Sequence, residues 1–287
     1  MGEKLTSFFE QYMQKESFFK DKAVLLSGYK PEIMPHRDPE IEKIASILAP
    51  ALKLERPSNL FIYGTTGTGK TVVVNYITSN MTEIAQKANN NLKIYTINCK
   101  LKKVADTEYR LIADVARTMF NQEIPETGLS TNEVYKIFVN ALDKEKILLV
   151  MVLDEIDSLV DKIGDGLLYS LTRLNSELKN SQISIIGISN KLDFTDHMDA
   201  RVKSSLCEEE LQFFKYNAVQ ILDILKERAG VAFKEGKIAE GVLEKCAAYA
   251  ATHGDARRAI DLLRVSAELT ERKNENIESG IVCLRCN

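Results

Sequence analysis

Residues 58–71, Ser-Asn-Leu-Phe-Ile-Tyr-Gly-Thr-Thr-Gly-Thr-Gly-Lys-Thr, constrain this chain more than any other stretch. A short apolar, aromatic run at 60–63 reads as a buried strand. Gly64-x-x-x-x-Gly69-Lys70-Thr71 follows at once, and then Val72, Val73, Val74, Tyr76 and Ile77, which read as a helix. Strand, glycine-rich turn and helix start are the context that makes this pattern a phosphate-binding loop. Gly64, Gly67 and Gly69 let the backbone turn so that N–H groups, including those of Thr65, Thr66 and Thr68, point at phosphate oxygens. The helix beginning near Lys70 adds its partial positive end. Lys70 supplies a charge for the β and γ phosphates, and the Thr71 hydroxyl is a ligand for Mg²⁺.

Taken in order, residues 5–19 carry Leu5, Phe8, Phe9, Tyr12 and Met13 at helical spacing, which predicts an amphipathic helix packed on the core. Two prolines make 29–40 extended, and Asp38 is placed to cap a helix with Pro39 at its first position. His36 has no neighbour that would make it a base and reads as structural. After the phosphate loop a helix runs to about Ala88, followed by strands at 92–99, 147–153, 183–189 and 210–214. A helix from Asp106 and another opened by the capping box Ser130-Thr-Asn-Glu133 intervene. Strands alternating with helices predict an α/β fold, a three-layer arrangement with a parallel sheet covered on both faces. From Tyr216 the pattern becomes all-helical, with helices at 217–229, 238–252 and 255–272. The predicted organisation is an α/β domain over 1–215 with its N-terminal helix, a small helical domain over 216–273, and a tail over 274–287.

Two further strand ends carry chemistry. The apolar run at 148–153 ends in Asp154-Glu155. Asp154 is placed to hold Mg²⁺, and Glu155 to polarise a water for attack on a γ-phosphate. The strand at 183–189 ends in Asn190, within reach of that water or phosphate. Asn190-Lys191-Leu192-Asp193 also matches N-K-x-D, a guanine-reading motif. Two features argue for adenine instead. Asp154-Glu155-Ile156-Asp157 lacks the glycine of D-x-x-G, and N-K-x-D lies on the very next strand, where the γ-phosphate is sensed. Arg201, between the fourth and fifth strands, is placed to serve a neighbouring subunit's nucleotide as a finger. Arg257, in the first turn of the last helix, is placed to reach back to the phosphates.

The 287 residues carry a net charge of −3, with 45% hydrophobic and 28% charged residues, so there is no general basic field for nucleic acid. The start, Met1-Gly2-Glu3-Lys4-Leu5, shows no signal-peptide pattern, and no apolar run approaches the ~20 residues of a membrane span. Five scattered cysteines beside a nucleotide motif suit a reduced cytoplasm. Cys283 and Cys286 make a single C-x-x-C, read as two free thiols in a frayed tail.

Together these residues resemble the AAA+ ATPases and, more narrowly, the archaeal replication initiators of the origin-recognition and cell-division-control type. The resemblance covers about residues 8–272. It rests on Pro35-His36-Arg37, the stretch from Pro57 to Thr71, Leu153-Asp-Glu-Ile-Asp157, Arg201-Val-Lys-Ser-Ser205, Tyr216-Asn217-Ala218 and Gly254-Asp-Ala-Arg-Arg258. It implies an AAA+ P-loop NTPase domain followed by a helical lid, with ATP or ADP and Mg²⁺ bound by Lys70, Thr71, Asp154 and Glu155. It makes Asn190 the first sensor, Arg257 the second, Tyr216 a hinge residue against the nucleotide, Arg228 a second lid contact and Arg201 the finger. The implied activity is slow ATP hydrolysis used as a conformational switch in replication initiation. The implied partners are double-stranded origin DNA, a replicative helicase and like or related initiator subunits, with no membrane and a cytoplasmic, nucleoid-associated location.

The segment at 101–130 stands where initiators insert a DNA-touching helix, and Lys100, Lys102, Lys103 and Arg110 make it mildly basic. Family members continue into a winged-helix domain. The run Ile281-Val-Cys-Leu-Arg-Cys-Asn287 does not resemble its beginning, so a shortened member with weak DNA binding is expected. The other functional classes in view are a remodeller or clamp-loader-like subunit acting on proteins, and a nucleotide-binding regulator without origin binding.

Overall fold

The strand Leu148–Asp154, β3, is buried along its whole length, as its unbroken run of apolar residues dictates. In the computed structural model, which describes residues 5–7, 9, 10, 13, 16–100 and 105–273, β3 lies inside a five-stranded sheet. The other strands are Leu60–Tyr63 (β1), Leu92–Asn98 (β2), Gln182–Ser189 (β4) and Glu209–Gln212 (β5), in the order β2-β3-β4-β1-β5. Every pairing is parallel. Helix Asp38–Leu48 (α1) precedes β1. Each connection between strands crosses over, and the crossovers carry helices Lys70–Lys87 (α2), Glu108–Phe120 (α3), Thr131–Leu142 (α4), Ile156–Ile163 (α5), Gly166–Arg173 (α6) and Ala200–Leu206 (α7). The predicted α/β fold with a covered parallel sheet is the fold observed.

The register decides where the chemistry falls. Tyr63 pairs with Ser189, Asp154 with Ile188, and Asn98 with Asp154. All of these strands point the same way, so their C-terminal ends share one edge of the sheet. On one face, Phe61, Leu149, Met151 and Leu153 join Leu111, Ile112 and Phe138 of α3 and α4 in a continuous apolar cluster. Ser130 caps α4 as the sequence predicts: its Oγ accepts from the Glu133 N–H at 3.3 Å, and the Glu133 carboxylate accepts from the Ser130 N–H at 2.7 Å. Asp38 lies inside the first turn of α1 rather than capping it, with Arg37 as the preceding residue. α3 likewise starts two residues later than Asp106, with the Thr107 hydroxyl accepting from Arg110.

The sheet unit spans His36–Lys215. A second compact unit holds Ala218–Ala232 (α8), Val242–Ala251 (α9) and Ala256–Lys273 (α10). Ile221, Leu225, Cys246 and Leu263 are buried at its centre. Asn217 and Gln220 form a capping box at the start of α8. α9 begins later than the predicted 238 because Gly241 holds a left-handed turn, φ 80°, just before it.

The N-terminal boundary differs from expectation. The described residues up to Pro35 group with this helical unit and not with the sheet. The cause is the end of α8, whose last carbonyls lack intrahelical partners. Lys20 and Asp21 both donate to the Ala232 carbonyl, at 2.9 and 3.2 Å, and Lys234 donates to the Phe18 carbonyl at 3.0 Å. Phe19 packs on Phe233 with ring centroids 5.0 Å apart. Leu5, Phe9 and Met13, expected on a buried stripe, are exposed. Phe8, Tyr12, the segment 101–104 with Lys102 and Lys103, and the tail 274–287 with Cys283 and Cys286 lie outside the described residues. Among the described residues no helix is long and apolar enough to cross a membrane.

Phe138 is fully buried and meets Phe120 edge-on at 6.1 Å. Its replacement by alanine should lower the unfolding free energy by about 3–5 kcal/mol, read from urea denaturation. A loss under ~1 kcal/mol would contradict this account of the core.

Candidate functional site

The loop leaving β1 is shaped by close packing. A Cβ on Gly64, whose φ is 152°, would lie 2.4 Å from the Phe213 carbonyl oxygen, where the chain leaves β5. Phe213 in turn donates its N–H to the Tyr63 carbonyl at 2.8 Å. No larger residue fits between these two backbones. Gly69, with φ 92°, turns the chain into α2.

Lys70, 4% exposed, bends back over the loop. Its ammonium donates to the carbonyls of Gly64 at 2.7 Å and Thr65 at 2.9 Å. Thr68 is fully buried and donates from its hydroxyl to the Thr65 carbonyl at 2.9 Å. The Thr65 hydroxyl oxygen is buried with no hydrogen-bond partner. Thr66 is exposed at the loop's tip.

Asp154 closes the site from β3. It is 8% exposed and accepts from the Thr71 hydroxyl, at 3.1 and 3.2 Å to its two oxygens. Asn98, at the end of β2, donates from Nδ2 to Asp154 at 3.4 Å. Glu155 adopts the left-handed region, φ 53° and ψ 46°, and starts α5. A non-glycine residue there carries strain that its surroundings must hold, a pattern concentrated at functional sites. Its carboxylate is 3.7 Å from the Lys100 ammonium. Cys99 is fully buried, and burial, followed by the Asp154 charge, pushes its thiol up to about 12. It is therefore a neutral packing group at ordinary pH.

At the end of β4, the backbone N–H of Asn190 lies 3.4 Å from Asp157 Oδ1, and the Ser189 hydroxyl donates to the same oxygen at 2.9 Å. Asp157 is 7% exposed. The fourth residue of Asp154-Glu155-Ile156-Asp157 thus ties the start of α5 to the loop that presents Asn190. The Asn190 side chain is half-buried.

The arginines fall in three settings. Arg201 is exposed and paired in a bidentate manner with Asp199, at 3.0 Å from both Nε and Nη2, with its guanidinium 5.2 Å from the Tyr169 ring centre. That pair, with the backbone N–H of Arg201, holds the Asp199 carboxyl down at about 2. Arg257 is exposed on the helical unit, and its guanidinium makes no hydrogen bond or ion pair among the described residues. Arg228 is buried in that same unit, 4.5 Å from the Tyr29 ring centre, and donates to the Val24 carbonyl at 3.3 Å. Tyr216 is buried within the helical unit's apolar cluster.

Gly64 to Thr71, Asp154, Glu155 and Asn190, the site residues expected from the sequence, lie together at one end of the sheet. Asn98 and Asp157 were passed over. Asp157 was visible as the second acid after Asp154, whereas Asn98 had no signal beyond its place at a strand end. Arg37 was read only as part of a motif. It is 4% exposed, and its Nε donates to the Thr68 carbonyl of the phosphate loop at 3.0 Å.

A parallel sheet in this order, with a phosphate loop after β1, an acid pair after β3 and a helical unit following, defines an AAA+ P-loop domain with a lid. A family model described as AAA domain matches residues 53–194, and one described as Cdc6 AAA+ ATPase-type lid domain matches residues 222–282. The ORC1-type DNA replication protein of Methanoregula boonei is 50% identical over 278 residues, 93% of this chain and 64% of that relative. That of Thermococcus onnurineus is 48% identical over 273 residues, 94% of this chain and 65% of the relative. The solved structure of the Aeropyrum pernix ORC1 protein in complex with DNA matches with a TM-score of 0.83 at 42% identity, over 91% of this chain and 67% of that one. The chain belongs to the ORC1-type DNA replication protein family, and it spans just under two thirds of the length of the first two relatives.

Asp157→Ala removes a buried acceptor from Ser189 and Asn190 and should cost about 1–3 kcal/mol of stability. Asp161→Ala, which breaks only the exposed pair with Lys191, should change it by less than ~1 kcal/mol. Equal losses in denaturant titrations would contradict the role given to Asp157.

Proposed function

We propose that this chain is an ATP-controlled replication-initiation core that binds adenine nucleotide with Mg²⁺ and hydrolyses it slowly, as a conformational switch. The observation that carries the reading is the Thr71–Asp154 hydrogen bond at 3.1 Å, beneath a loop whose lysine is already folded inward. A hydroxyl and one carboxylate, with phosphate oxygens and water, are the sparse donor set that suits Mg²⁺. The buried Thr65 hydroxyl without a partner is a second sign that the loop is built around a polar guest. Among the described residues no group of three or more His, Cys, Asp or Glu is arranged to hold a metal by protein ligands alone.

In this reading the backbone from Gly64 to Thr71 and the Lys70 ammonium bind the phosphates, and Thr71 and Asp154 hold the metal. The metal supplies neutralisation of phosphate charge when bound. Glu155, in the left-handed region at the start of α5, accepts the proton of the attacking water. Asn190, held by Asp157, orients that water or the γ-phosphate. Tyr216, Arg228 and Arg257 are proposed as nucleotide-responsive residues of the helical unit. Arg201 is proposed to leave Asp199 and serve the nucleotide of a neighbouring initiator subunit. Duplex DNA, a replicative helicase and a cytoplasmic, nucleoid-associated location complete the proposal. The Aeropyrum pernix relative's structure in complex with DNA supports the first of these.

Glu155→Gln should bind ATP within a few-fold of the parent and lose hydrolysis by about 10²-fold or more. Lys70→Ala should weaken binding itself. Filter binding and phosphate release read the two separately, and unimpaired hydrolysis by Glu155→Gln would overturn the role of Glu155.

DNA binding by this chain should be weak. The described basic residues of the candidate segment are already partnered: Lys100 by Glu155 at 3.7 Å and Arg110 by Asp106 at 3.4 Å. Fluorescence anisotropy on origin and random duplexes should give a log K against log salt slope of roughly −2 to −3. Lys100→Glu with Arg110→Glu should weaken binding further. Tight, sequence-selective binding would contradict this.

A further inference from the structure

Arg37 is almost fully buried, and its guanidinium touches three separate stretches of chain. Nε donates to the Thr68 carbonyl of the phosphate loop at 3.0 Å, and Nη2 donates to the Phe214 carbonyl at 2.7 Å. Nη1 pairs with the Glu40 carboxylate in the first turn of α1. The plane lies over the Phe213 ring, 5.0 Å from its centre. A guanidinium is flat and rigid, so partners held by its different edges are fixed relative to one another. A lysine carries one ammonium and cannot span them.

The positions of these partners along the chain give the arrangement its meaning. The chain passes between the sheet unit and the helical unit at two places, Pro35 to His36 and Lys215 to Tyr216. Arg37 is the second residue of the sheet unit after the first crossing. Phe214 is the second-last before the other. His36 between Pro35 and Arg37 is in the left-handed region, φ 62°, so that connection turns sharply just before the arginine. One buried side chain thus joins the roots of both connections to the carbonyl of Thr68.

We infer that Arg37 is a positioning residue that transmits the state of the phosphate loop to both connections of the helical unit. The inference rests on the reading that this loop binds nucleotide. A shift of the Thr68 carbonyl on binding moves the guanidinium, and the rigid plane carries that shift to Phe214 and to its own backbone beside His36. Contact with the nucleotide is not required of Arg37.

The chain contains no tryptophan, and the Phe214 side chain is 66% exposed, so Phe214→Trp places a single indole at the second connection while keeping the carbonyl that Arg37 holds. ADP added to the full chain carrying Phe214→Trp should shift the indole emission. Adding Arg37→Lys should reduce that shift about fivefold or more, with ADP binding still measurable by calorimetry. Adding Glu40→Gln instead, which leaves both carbonyl bonds in place, should retain it. A full shift with Arg37→Lys overturns the inference, and so does ADP binding without any shift in Phe214→Trp alone. Hydrogen exchange on the unsubstituted chain is an independent arm, and it decides if Arg37→Lys fails to fold or to bind. ADP should alter exchange at residues 36–38 and 214–216 as well as at 64–71, and a change confined to 64–71 overturns the inference. Failure of the unsubstituted chain to bind ADP would instead remove the nucleotide reading beneath it.

Discussion

The parallel register of β1, β3 and β4 is the constraint on which the rest of this structure depends. Because all three strands run the same way, with Tyr63 beside Ser189 and Asp154 beside Ile188, the residues that follow them leave the sheet at one edge. β1 is also the place where the chain order jumps, lying between β4 and β5. Open parallel sheets bind ligands beyond the carboxyl ends of their strands at such switch points. A slip of one residue in any pairing would turn Asp154 or the root of the phosphate loop to the other face. The apolar cluster that fixes the register is therefore as much a part of the site as the polar residues it presents.

Burying charge at that edge requires partners, and each buried charge has them. The Lys70 ammonium is taken up by two carbonyls of the loop it serves, and Asp154 by Thr71 and Asn98. Asp157 is satisfied by Ser189 and the Asn190 backbone. Satisfied polar networks of this kind rigidify what they hold. Here they leave the Asn190 amide presented on a fixed loop and Glu155 on a strained turn, while the residues around both are held.

What was legible in the chain follows from how local each signal is. Gly64 to Thr71, the acids after β3 and Asn190 after β4 are read from contiguous residues, and the structure places them at one edge. The strands were legible for the same reason, since each is a short apolar run. α5 and α6 were not distinguished, because each is eight residues long and Gly164 separates them. Arg37 shows its role only when residues 68, 213 and 214 have been brought to it, and no pattern near residue 37 records that. The attachment of residues 16–35 to the helical unit depends on Ala232 and Phe233, some two hundred positions away, which periodicity in the first segment cannot register. The adenine reading used a different kind of evidence, the missing glycine after Asp154, against an N-K-x-D match at Asn190.

That last choice gives the most direct test of the central claim, that this edge of the sheet is an ATP site of the AAA+ kind. The measurement is isothermal titration calorimetry of the chain with ATP and, separately, GTP, each with Mg²⁺. The account predicts one-to-one binding of ATP at least about tenfold tighter than GTP, a difference of ~1.4 kcal/mol. Equal or tighter binding of GTP would contradict it.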